Sequence, residues 1–127
     1  MTVAITGNDQ PNRQSGKLIQ CILPDDGTDK KLLKALREQM GIVCGYSRSC
    51  RSVGALTPVE STSGKLPPSE LVRLVQIVTS EDEADAAFDL VFETADLNQP
   101  GRGVVWQASI HACTPFTLPE GVANEAG

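Results

Sequence analysis

His111 is the only histidine in the sequence, and no cysteine or carboxylate stands beside it at metal-ligand spacing. A general base needs a partner to orient it, so a structural histidine in the last strand is the reading its surroundings support. Serines are frequent, but one histidine and no GxSxG sequence leave a Ser-His-Asp triad without support. Asp25 and Asp26 stand just before a helical pattern, where carboxylates stabilise the first turn. GKLPP at 64–68 lacks the four-residue gap and the following helix of a phosphate-binding P-loop. Cys44 and Cys50 are separated by five residues, which matches no common zinc spacing. With Cys21 and Cys113 they read as reduced, mostly buried thiols, and a Cys44–Cys50 redox pair is the alternative. No catalytic constellation results, and the expectation is a binding module, not an enzyme.

The stretch NQPGRGVVW, Asn98 to Trp106, has two readings. Pro100, Gly101 and Gly103 make an ordinary turn into a strand, or the two glycines expose backbone N–H groups to an anion while Arg102 supplies charge. Gly54 begins a long polar segment at the end of a different strand, so in an assembly loops from neighbouring subunits could meet there and form a cleft. Taken alone, Gly-Arg-Gly is a turn.

The formal net charge is −5, with Lys30, Lys31, Lys34 and Arg37 in one block and Glu81, Asp82, Glu83, Asp85 and Asp89 in another. Both blocks read as solvated helix faces. An acidic chain with so few aromatic residues lacks the surface that nucleic-acid binding uses, so no nucleic-acid partner is expected. The first fifteen residues have neither the basic start nor the apolar run of a signal peptide, which predicts a soluble, cytoplasmic protein.

Stepwise along the chain, 1–16 reads as a flexible tail, 17–117 as one domain and 118–127 as a second tail. LIQCIL, Leu18 to Leu23, is a buried strand stopped by Pro24, Asp25, Asp26 and Gly27. TDKKLLKALREQMG puts Leu32, Leu33, Leu36 and Met40 on one helical stripe, with Thr28 as N-cap and Gly41 as C-terminal stop. Gly41 to Gly54 reads as an exposed or edge strand. Residues 55–69 form a long Pro-, Ser- and Thr-rich loop of the kind that is functional or disordered. Glu70 to Thr79 is strongly β-prone, and Ser80 with Glu83 matches a capping box. The helix that follows turns Ala84, Phe88, Val91 and Ala95 inward and ends at Asn98 and Pro100. A last strand puts Val104, Trp106, Ala108 and Ile110 on one face. LIQCIL and LVQIVT share apolar character and a central glutamine, so two similar β-α-β halves are predicted. The fold class is α+β, a ferredoxin-like βαββαβ sandwich with a four-stranded antiparallel sheet and both helices on one face. Apolar residues on both strand faces predict that the uncovered face packs against other subunits.

KLIQCILP, the helix TDKKLLKALREQMGI followed by a strand, the long loop after Gly54 and the pattern TADLNQPGRGVVW together resemble the PII signalling protein superfamily, or nitrogen regulatory protein P-II. The resemblance spans about 16–116. It implies a homotrimer that binds adenine nucleotide (ATP, ADP or AMP) as an effector in clefts between subunits. It also implies that 55–69 is a T-loop docking onto a partner, a membrane transporter or a metabolic enzyme. Gly54 resembles the glycine at the T-loop base, and Gly101 and Gly103 resemble the two B-loop glycines that approach phosphates. Where the family has an acidic residue and then lysine around the second glycine, this chain has Arg102 and Val104, and CTPFTLP replaces the arginines after the final strand. Those departures point to a less charged nucleotide, or to Arg102 and Arg51 as substitutes. Relatives of this divergent kind are associated with bicarbonate transport and carboxysomes, or with nitrogen or metal uptake. A ferredoxin-like trimer that holds metal through Cys44, Cys50 or His111, or serves as a scaffold without nucleotide, is the alternative.

Overall fold

Alternation of apolar residues makes the first strand, β1, Gln14–Pro24, and buries Ile19, Cys21 and Leu23 completely on one face. The computed structural model describes residues 13–56 and 68–114. After β1 come α1 (Thr28–Met40), β2 (Gly45–Ser52), β3 (Glu70–Ser80), α2 (Glu81–Thr94) and β4 (Val104–Cys113). The strands form one antiparallel sheet in the order β2-β3-β1-β4. This is the expected ferredoxin-like sandwich. β2 is an edge strand, as its weak alternation implied.

Both helices lie on the face that carries Ile19, Cys21, Leu23, Val75 and Ile77. Leu32 and Leu36 of α1 and Ala87 and Val91 of α2 complete the core, with Leu33, Met40 and Phe88 partly buried against it. Ala84 and Ala95 are buried as the 3.6-residue period predicts. Gly41, in the left-handed conformation at φ 69°, donates its N–H to the Arg37 carbonyl and ends α1 where expected.

Several boundaries differ from the sequence expectation. β1 starts at Gln14, inside the segment read as a tail, because Gly16 pairs with both Ser80 and Ile110 and the two neighbours extend the ladder. The remainder of that tail, 118–127 and positions 57–67 of the long loop lie outside the described residues. Gly27, at φ 92°, is the N-cap of α1, and Thr28 is its first helical residue. The N-cap role passes to glycine because Asp26 Oδ1 takes both the Thr28 N–H (3.1 Å) and the Thr28 hydroxyl (2.5 Å), a tight local turn that ends in a left-handed step. α2 ends at Thr94, before Asn98, since Asp96 turns to φ 55°, a conformation that short polar side chains tolerate. The Ser80 hydroxyl meets Glu83 Oε1 at 3.0 Å, so the capping-box residues bond to each other and not to backbone N–H groups.

The face away from the helices carries a row that crosses all four strands. Tyr46, Gln76, Gln20 and Trp106 are register partners. The Tyr46 hydroxyl bonds to Gln76 Oε1, and Trp106 Nε1 donates to Gln20 Oε1 at 3.0 Å. The glutamine shared by the two half-repeats therefore sits opposite its counterpart. Leu18, Ile22, Leu74, Val78 and Val104 flank the row, and Tyr46 (53%) and Trp106 (38%) remain exposed.

All four cysteines are free. Cys50 lies in β2 and Cys44 directly precedes it, and the strand from Gly45 to Cys50 alone spans about 16 Å at roughly 3.3 Å per residue. A disulfide needs Cα atoms within about 7 Å, so a bridge between these two is excluded in this fold. Cys21 is a buried thiol whose pKa is pushed up to about 12, first by desolvation and then by the Asp29 carboxylate. In the folded protein at pH 8 Cys21 should resist alkylation and should label once denaturant unfolds the chain; mass spectrometry of trapped peptides reads the difference. A folded pKa above the unfolded one means that this thiol contributes stability below the unfolded value. The contribution is lost as pH rises from the ordinary thiol range towards 12.

Candidate functional site

Antiparallel pairing brings the C-terminal ends of β1 and β2 to the same end of the sheet as the N-terminal ends of β3 and β4. Three connections meet there: the β1–α1 turn, the base of the long loop after β2, and the loop 98–103 before β4. The Leu56 N–H donates to Glu70 Oε1 at 3.0 Å, which ties the two stems of the long loop together. The Leu56 carbonyl oxygen lies 3.4 Å from where a side chain on Gly101 would begin. The loop base therefore crosses the sheet end and comes close to the Gly-Arg-Gly loop within a single chain.

The five expected site residues are only partly assembled. Gly54 (φ 78°), Gly101 (φ 77°) and Gly103 (φ 127°) all adopt backbone angles that L side chains rarely take. At Gly103 the conformation has a structural cause as well: a Cβ there would drive into the Ile22 carbonyl oxygen, so the start of β4 can lie this close to β1 only without a side chain. Arg51 is exposed near the end of β2, paired with Leu71. β2 and β4 are opposite edges of the sheet, about 14 Å apart at roughly 4.8 Å per strand, so one chain does not bring Arg51 to Arg102.

Arg102 reaches across to the β1–α1 turn. One terminal nitrogen donates to Asp26 Oδ2 at 3.0 Å and the other to Thr28 Oγ1 at 2.9 Å. The side chains of Arg102 and Asp26 are 31% and 44% exposed, so the pair is at the surface and open to competition. The Asp26 carboxyl is held below the ordinary carboxylate range, chiefly by the Thr28 hydroxyl, with Arg102 adding to it. Asp26 and Thr28 were missed as members of this site, since the sequence shows them only as helix-start residues. Once βαββαβ order is accepted, the shared sheet end of positions 26 and 102 is the signal that could have found them.

A second polar cluster was missed altogether. Asp29, on the first turn of α1, is buried and meets Arg73 Nε of β3 at 3.2 Å and the Ser47 hydroxyl of β2 at 2.6 Å. Arg73 Nε also donates to Ser47 Oγ at 3.0 Å. Among the described residues no group of three or more His, Cys, Asp or Glu side chains could hold a metal ion. No described helix is long and apolar enough to cross a membrane.

No protein-family model matches the chain, and no curated protein matches it. Solved structures do. GlnK of B. subtilis, determined as its ATP complex, superposes with a TM-score of 0.61 at 14% identity, over 85% of this chain and 86% of that one. The chain has a PII-like fold. CutA from Synechococcus elongatus gives a TM-score of 0.60 at 12% identity, over 86% of this chain and 89% of that one. At this level of identity the PII-like likeness concerns the fold, and the chemistry of the site rests on this chain's own residues.

Proposed function

We propose that this protein is a PII-like signalling trimer, not an enzyme, that binds an adenine nucleotide at the sheet end gathered around the loop 98–103. The contact between Leu56 and Gly101 carries the reading, because it couples the base of the long loop to the segment that would face the ligand. A PII-like fold shared with a protein solved with ATP supports it. The donor set fits an anion of modest charge. Gly101 and Gly103 carry no side chain and Arg102 is the loop's one cation, but Arg102 is already shared with Asp26. Arg51, remote within one chain, enters the cleft only from a neighbouring subunit. The exposed Tyr46–Gln76–Gln20–Trp106 face supplies the surface for assembly, and the segment 55–69 docks onto a partner in the cytoplasm. That partner is a transporter or enzyme of inorganic-carbon or nitrogen metabolism, with bicarbonate as a second effector in the carbon case.

Light scattering should give a trimer, and calorimetry should detect ADP, AMP or ATP binding to it. Arg102→Ala should weaken that binding by about tenfold or more while the trimer and its thermal midpoint persist. A trimer indifferent to all three nucleotides at millimolar concentration would return Gly101, Arg102 and Gly103 to the role of a turn.

A further inference from the structure

At this sheet end a carboxylate stands directly against the cation of the glycine-bearing loop. Within 98–104 Arg102 is the only charged side chain, whereas 24–28 contributes Asp25 and Asp26 with no cation. Asp26 is bonded at 3.0 Å to Arg102, the cation of the loop that would face a phosphate. Thr28 links the two, accepting from Arg102 at 2.9 Å and donating to Asp26 at 2.5 Å. The three side chains therefore hold one another in place. A guanidinium has five N–H donors, of which these contacts use two, so an incoming phosphate can share Arg102 without evicting Asp26. Each further charge on the ligand then also meets the Asp26 carboxylate beside Arg102.

We infer that Asp26 is the specificity residue of this site and selects a nucleoside monophosphate over a triphosphate by charge. The inference rests on the nucleotide reading above. It makes Asp26 a filter and not merely a helix-start residue. Removing its charge should open the site to more anionic ligands, because Arg102 would then be unopposed.

The test is calorimetry of the full chain with AMP and ATP in EDTA, so that no divalent cation bridges phosphate and carboxylate. The wild type should bind AMP at least as tightly as ATP. Asp26→Asn keeps an oxygen to accept the Thr28 N–H, and should raise the affinity for ATP relative to AMP on the order of tenfold. Asp26→Ser serves the same purpose if the asparagine variant is unstable. Asp25→Asn, which changes net charge equally one residue away, should move the ratio much less. An unchanged ratio in the Asp26 variants, or an equal shift in Asp25→Asn, overturns the filter while leaving nucleotide binding intact. No binding of AMP, ATP or, in a parallel titration, ADP to any of these proteins overturns the nucleotide reading itself.

Discussion

Gly103→Ala should destabilise the protein by about 3 kcal/mol or more, the sum of a backbone angle that is nearly glycine-only and a steric overlap with main chain. Gly103 sits at φ 127°, and a Cβ there would drive deep into the Ile22 carbonyl oxygen, with Leu23 Cδ2 only 3.3 Å away. Ile22 lies in β1 between two paired strands, so its backbone cannot retreat without breaking the ladder to Leu74 or Val104. Gly101→Ala is the comparison. Its added carbon would sit 3.4 Å from Leu56 O, an ordinary contact, so the cost is the left-handed conformation alone, roughly 1 to 2 kcal/mol. Urea unfolding of the two variants separates the effects, and equal losses would mean that close approach to β1 is not what requires Gly103.

Asp29→Ala should cost about 3 kcal/mol, because it strands the Arg73 guanidinium and removes the acceptor of the Ser47 hydroxyl. Arg73 keeps 24% of its side chain exposed, which sets the estimate at the low end of the range for a broken buried pair. The double variant Asp29→Leu with Arg73→Met leaves no unpaired charge and should recover much of the loss. A double-mutant cycle in urea measures this, and losses that simply add would show that the two residues do not act as a pair. The cluster joins α1 to β2 and β3, so the position of the β1–α1 turn that holds Arg102 depends on it.

Local pattern accounts for most of what was legible in the sequence. Leu32, Leu36, Ala84 and Val91 fell on buried stripes because a 3.6-residue period leaves few alternatives once a core must form. Gly41 ended α1 because its left-handed conformation is a local property of glycine. The N-cap of α1 and the end of α2 were misplaced by a few residues, since Gly27 and Asp96 took left-handed angles that neighbouring side chains, not periodicity, select. The site was half legible. Gly101, Arg102 and Gly103 could be picked out by type, whereas the pairing of Arg102 with Asp26 and Thr28 joins positions more than seventy residues apart.

By itself, then, the sequence determined the order of elements, the core stripes and the place of the glycine-bearing loop, because these follow from side-chain periodicity and the conformational range of single residues. The tertiary structure decided what those residues touch. Strand order β2-β3-β1-β4 put Arg51 and Arg102 on opposite edges, brought Leu56 to Gly101, buried Asp29 against Arg73, and set Gln20 beside Gln76 and Trp106. Each of those contacts depends on which strands are neighbours and in what register, and a one-residue change of register would dissolve them while leaving every local propensity as it was.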